Sequence, residues 1–199
     1  MKARFAVVLL VSIFSALNVA RAQDRVQLFG GYSYFGFYYY PANSGPWTLA
    51  SFQGWDGSGS VKVIRHIEIE GDFGGSYRPP YGLLPAYSNS DAIRTYMGGP
   101  RVSTTFRRAS LYGHVLFGGL TYKRKAGQGP GLPPFTSSDT TFAMAIGGGT
   151  DLRLTRHFGV RLVQIDYVRN NNSVSGSFAS PGQHVNFRIL TGAIFRFGR

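Results

Sequence analysis

The stretch Ile67-Glu68-Ile69-Glu70-Gly71-Asp72-Phe73-Gly74-Gly75-Ser76-Tyr77-Arg78 decides the fold. Apolar and polar residues alternate along it, the period of an extended strand and not of a helix. Ile67, Ile69, Gly71, Phe73, Gly75 and Tyr77 share one face, and Glu68, Glu70, Asp72, Gly74, Ser76 and Arg78 share the other. Three carboxylates on one strand face do not suit the core of a soluble barrel, because a buried charge needs a partner.

The alternation recurs. In Ala92–Phe106, Tyr96, Val102 and Phe106 oppose Thr95, Arg101, Ser103 and Thr105. In Thr140–Leu154, Phe142, Met144, Ile146, Leu152 and Leu154 oppose Ala143, Ala145, Gly147, Gly149, Asp151 and Arg153. In His184–Phe197, Phe187, Ile189, Ala193, Phe195 and Phe197 oppose His184, Asn186, Arg188 and Arg196. Arg25–Phe37, Ser51–Ile64, Ala109–Lys123 and Phe158–Val168 alternate less cleanly. In the last of these Arg161 and Asp166 have opposite parity, which predicts a bulge or a mixed face. Gly recurs within nearly every apolar segment and argues against helix. Eight strands result, each long enough to cross a bilayer at a tilt, which takes about 9–11 residues.

The connections sharpen this reading. Only Arg65-His66, Arg107-Arg108 and Arg156-His157 separate strands two and three, four and five, and six and seven. The other joins, Tyr38–Ala50, Pro79–Asp91, Arg124–Asp139 and Arg169–Gln183, are long and rich in Gly, Pro, Ser and Asn. Tight turns make neighbouring strands antiparallel. Strict alternation puts every long loop at one end and every tight turn at the other, the wiring of a bacterial transmembrane β-barrel. Lipid requires that barrel to be closed, since unpaired strand edges cannot be hydrated there.

The expected fold is therefore all-β, an eight-stranded antiparallel up-and-down transmembrane β-barrel spanning residues 23–199. Polar side chains face inward and apolar ones face lipid. Aromatic girdles are expected around the first loop, at Tyr32, Tyr34, Phe37 to Tyr40, Trp47 and Trp55, and at the short-turn end, at Phe106, Phe158, Phe195 and Phe197. The competing architecture is a soluble lipocalin-like barrel with an apolar inside.

Residues 1–22 read as a secretory signal peptide: Lys2 and Arg4, an apolar run from Phe5 to Leu17, then Ala20-Arg21-Ala22. The run is too short to span a bilayer as a helix. Cleavage would remove Lys2, Arg4 and Arg21 and no acid, so the net charge of +12 falls to +9. The chain has no Cys, which removes disulfide scaffolds, thiolate metal sites and thiol nucleophiles. With 16 Phe and 12 Tyr and only 15% charged residues, it is not a disordered chain. Its remaining bases are scattered through strands and turns, so no nucleic-acid partner is expected. Arg65, Arg107, Arg108 and Arg156, in turns, suit anionic lipid headgroups.

Several segments together resemble a known family. These are Val26-Gln-Leu-Phe-Gly-Gly-Tyr-Ser-Tyr34, Gly54-Trp-Asp-Gly57, Gly71-Asp-Phe-Gly-Gly75, His114-Val-Leu-Phe-Gly-Gly119, Ala145-Ile-Gly-Gly-Gly-Thr-Asp-Leu152 and Arg188-Ile-Leu-Thr-Gly-Ala-Ile-Phe-Arg-Phe-Gly198. The ordered set resembles the small outer-membrane β-barrel domain family, the OmpA/OmpX-type eight-stranded barrels. The resemblance covers essentially all of residues 23–199 and implies the bacterial outer membrane as location. It also implies an assembly signal at Gly192, Phe195 and Phe197, recognised by the barrel assembly machinery. Leu190 departs from that pattern, standing where a polar residue is usual, and Gly198-Arg199 extend past the last aromatic.

The inward groups expected to form a lumenal charge network are Lys62, Glu68, Glu70, Asp72, Arg101, Asp151, Arg153 and Arg188, with His114 beside them. Such groups make an ion-pair network in a sealed barrel or line a small passive channel. His66 and His157 fall in turns, and His184 is a further inward candidate. No nucleophile motif accompanies any His, so no catalytic residue is assigned and a lipid-modifying barrel enzyme is the weakest alternative. Gly147-Gly148-Gly149 lacks the Lys-Ser/Thr of a phosphate loop, and no metal or cofactor is expected. The expected role is structural or surface-interacting, with outer-membrane lipids as partners and any extracellular ligand held at long loops such as Gly127–Pro134.

Overall fold

The computed structural model describes residues 26–39, 48–81, 89–129, 133–170 and 186–197, with backbone alone at 37–39, 48 and 81. The predicted signal peptide, His184, Trp47 and the side chains of Phe37 to Tyr40 lie outside the described residues.

Eight strands form one closed ring, β1-β2-β3-β4-β5-β6-β7-β8, every neighbour antiparallel and β8 pairing with β1. They are β1 Val26–Tyr39, β2 Thr48–Ile64, β3 Ile67–Tyr81, β4 Asn89–Phe106, β5 Ala109–Ala126, β6 Phe135–Arg153, β7 Phe158–Asn170 and β8 Asn186–Phe197. Closure gives every described strand an interstrand partner on both sides.

The strands run further toward the loop side than the sequence predicts. β6 begins at Phe135 and not at Thr140, and β4 at Asn89 and not at Ala92. Alternation fades in these extensions because they are not lined on one face by lipid, so sequence period alone ends the strand early. β3 includes Pro79 and Pro80, where its register with β4 slips between Arg78 and Tyr81. Proline has no N–H to give the ladder.

Register fixes the barrel's geometry. The row of paired residues starting at Lys62 passes through Glu68, Arg101, His114, Gly147, Asp166, Arg188 and Phe35, and returns to β2 at Phe52. The row thus re-enters its starting strand displaced by ten residues, 62 against 52. That stagger is what tilts the strands in a closed barrel. It also makes the row a shallow spiral stair, whose steps Glu68, Arg101, His114, Asp166 and Arg188 all point inward.

The predicted irregularity in β7 is a bulge. Its register slips against β6 between Thr150 and Asp151, and against β8 between Arg161 and Gln164. Leu162 and Val163 both face outward, so Arg161, Gln164 and Asp166 all face the lumen.

Outside, the wall is apolar. Ile69 is 55% exposed, Val102 57% and Phe106 63%. Tyr32, Trp55, Phe73, Tyr96, Phe117 and Tyr167 are exposed toward the loop side, and Phe106, Phe158, Phe195 and Phe197 toward the short turns. A soluble protein does not present a wall of this kind to water.

Candidate functional site

The interior divides into two storeys. Toward the loops it is largely apolar: Phe35, Ala50, Phe52, Ile93, Met97, Leu116, Leu120, Tyr122, Ala143, Ala145 and Val168 form one buried cluster, with an Arg124–Asp91 pair at 3.8 Å and an Asn186–Asn170 contact at 3.2 Å nearest the loop end. This corrects the expectation of a uniformly polar inside. Eight strands leave a bore that side chains fill, and a dry bore can be filled by apolar groups as well as polar ones. The sequence obscures this because β1 and β5 are apolar on both faces: Phe35 and Leu116 inward, Tyr32 and Phe117 outward.

Below the plug lies a charged cluster. Arg188, on β8, is 1% exposed and sits at its centre. Its Nη1 donates to Asp56 Oδ2 at 2.8 Å and to Asp72 Oδ1 at 2.7 Å. Its Nη2 donates to Asp72 Oδ2 at 3.0 Å and to Asp166 Oδ2 at 2.7 Å. One guanidinium therefore serves three carboxylates, using the donor fork that lysine lacks.

His114 bridges two more acids. Its Nδ1 lies 2.8 Å from Glu70 Oε2 and its Nε2 lies 2.9 Å from Asp166 Oδ1. Giving a proton to both oxygens takes two ring N–H groups, which only imidazolium has. Arg101 reaches Glu68 at 3.4 Å, Glu70 at 3.5 Å and Asp151 at 3.0 Å. Arg161 donates to Asp151 Oδ1 at 2.9 Å and to Gln164 Oε1 at 2.6 Å. Tyr112 lies between these two cations, with the Arg101 guanidinium carbon 3.6 Å and that of Arg161 4.8 Å from its ring centre. Its hydroxyl donates to Gln164 at 2.6 Å. Six carboxylates thus meet three guanidiniums and one imidazole, the pairing that buried charge requires, with Asp56 Oδ1 and Arg161 Nη2 left without a hydrogen-bond partner among the described residues.

Of the residues singled out from sequence, Glu68, Glu70, Asp72, Arg101, Asp151 and Arg188 lie in this cluster. Lys62 and Arg153 lie lower, lining a cavity of about 40 Å³ at the short-turn end together with Arg108 and Arg196. Sequence reasoning missed Asp56, Arg161, Gln164 and Asp166 as members. Their signals were present: Asp56 is in phase with Lys62 on β2, and the β7 bulge brings Arg161 and Asp166 to one face.

The turn histidines are exposed and similarly placed. His66 Nδ1 lies 3.2 Å from the Ser103 carbonyl, and His157 Nδ1 lies 3.1 Å from the Arg196 carbonyl, each on a neighbouring strand. On β8, Phe195 and Phe197 point outward with ring centres 4.7 Å apart, while Gly192 faces inward against the β1 backbone at Gly30 and Gly31.

No protein-family model matches the chain, and no curated protein matches it. Solved structures do. The attachment invasion locus protein Ail of Yersinia pestis aligns over 88% of this chain and 100% of its own, at 15% identity and a TM-score of 0.56. The same protein in complex with the heparin analogue sucrose octasulfate aligns over 87% and 99%, at 15% identity and a TM-score of 0.57. Neisserial surface protein A, NspA, aligns over 85% and 96%, at 9% identity and a TM-score of 0.54. Such identities speak to architecture alone. The chain has the up-and-down, eight-stranded transmembrane β-barrel fold that Ail and NspA share.

Proposed function

We propose that this chain is an integral outer-membrane barrel with a sealed lumen, serving a structural or surface-interaction role without catalysis. The carrying observation is the inversion of its two surfaces: an apolar, aromatic-banded outside around an interior that holds Arg188 and Asp166 at 1% and 0% exposure. Lipid suits the first, and a sealed bore suits the second. The apolar storey above the ion pairs supports closure, since a water-filled channel needs a continuous polar path. His114 spends both ring nitrogens on carboxylates, leaving neither to activate a hydroxyl, which supports a non-catalytic reading.

Export would use residues 1–22 as a cleaved signal, and Gly192, Phe195 and Phe197 would be read by the assembly machinery. Arg65, Arg107 and Arg156 in the turns would meet lipid headgroups. The loop end is the place for a surface partner, and the complex of Ail with a sulfated sugar supports an anionic one on this fold.

Membrane fractionation with heat-modifiable gel mobility tests the location. Recovery in the membrane fraction, with a mature N-terminus at Gln23 and a compact unboiled form, is expected. Extraction as a soluble protein without detergent overturns the reading. Planar-bilayer recording tests the seal: no steady conductance is expected, and reproducible open levels overturn closure.

A further inference from the structure

We propose that the short-turn mouth of the lumen binds a small oxyanion, a phosphate group above all. The cavity there holds about 40 Å³, where a single water takes about 10–15 Å³ on the same measure. Its wall carries five cations, Lys62, Arg101, Arg108, Arg153 and Arg196, against one carboxylate, Glu68.

That carboxylate is already committed. Glu68 accepts from Ser103 Oγ at 2.6 Å and from Ser60 Oγ at 2.9 Å, and lies 3.4 Å from Arg101 Nε. The next acid inward, Asp151, faces Arg101, Arg161 and the Gln27 amide. The lining of the mouth thus holds more cations than acids. Its cations come from β2, β4, the β4–β5 turn, β6 and β8, so barrel closure sets their spacing and no single mobile segment does. Guanidinium groups match phosphate oxygens with paired donors. Arg65, Arg107 and Arg156, also basic and nearby in sequence, do not line this cavity. The source is either a free phosphate compound or a phospholipid headgroup reaching over the rim.

The test titrates inorganic phosphate into the folded protein in a maltoside detergent, which carries no phosphate. Chloride holds the ionic strength, and backbone amide shifts of Ser103, Ser110 and Arg153 are followed. Saturable shifts are expected, with Kd rising about tenfold in K62Q/R153Q. Arg65→Gln should change Kd by less than about twofold. Shifts that never saturate, or that survive unchanged in the double variant, overturn the site. Should K62Q/R153Q lose its compact gel form, Lys62→Gln alone gives the same comparison with a rise of about threefold. Titrating a soluble lipid headgroup, glycerophosphoglycerol, into the same detergent-held protein separates the sources. Saturable shifts at the same amides, with a Kd at or below that of inorganic phosphate, assign the site to a headgroup, and a Kd at least about tenfold higher assigns it to a free phosphate compound.

Discussion

Arg188 grips Asp72 with two parallel N–H···O contacts, 2.7 and 3.0 Å, across the lumen from the last strand to the third. The same guanidinium reaches Asp56 and Asp166. Removing it would leave Asp56 and Asp72 buried without the cation they share, and Asp166 with His114 and Gln164 alone. Arg188→Met is expected to cost about 3–5 kcal/mol of folding stability, read as a lower urea midpoint in detergent or liposomes. Adding D56N and D72N to that variant should restore part of the loss, because the unpaired charge goes with the acids.

Gly147 makes the His114–Asp166 contact possible. It is the paired neighbour of His114 on one side and of Asp166 on the other. A Cβ there would collide with Asp166 Oδ1 and with the Ile165 carbonyl. Gly147→Ala is expected to cost about 1–3 kcal/mol, the usual range for overpacking. The amide and imidazole NMR signals of His114 should move as Asp166 is displaced.

The apolar plug carries stability of its own. Leu116 is fully buried among Phe35, Phe52 and their neighbours. Leu116→Ala is expected to lower stability by about 2–5 kcal/mol through lost burial and the cavity it leaves. Equilibrium urea unfolding reads the loss, and the Arg188 contacts below should keep their NMR signature.

Ile69 distinguishes membrane from water. It is 55% exposed on the outer wall of β3, between Ile67 toward the turns and Phe73 toward the loops. Ile69→Arg should cost about 2–4 kcal/mol for folding into liposomes if that wall meets the bilayer interior. A change within about 0.5 kcal/mol, as for an ordinary surface substitution, would place the wall in water.

The strand count, the order and the tight turns were legible because period and punctuation are local properties. Ile67–Arg78 alternates without interruption, and Arg65-His66 and Arg107-Arg108 leave no room for anything but a reversal. The inward placement of Glu68, Glu70 and Asp72 followed from the same period. What could not be read was pairing. Arg188 and Asp56 are separated by 132 positions, and only the register around the ring brings them together. The apolar storey escaped for another reason. Leu120 and Ile93 are buried inside the ring among other apolar side chains, and hydropathy cannot distinguish that from facing lipid.

The ten-residue stagger has a consequence for the order of events in folding. Asp56 and Asp72 belong to the second and third strands, and the cation that neutralises them arrives on the eighth. Any partly zipped sheet lacking its last strand therefore carries uncompensated acid into a medium that tolerates none. Sealing the seam between β8 and β1 and discharging the interior are one step. The lumenal ion pairs are therefore expected to couple closure of the ring to neutralisation of its interior, favouring insertion of the complete barrel over that of a partial sheet.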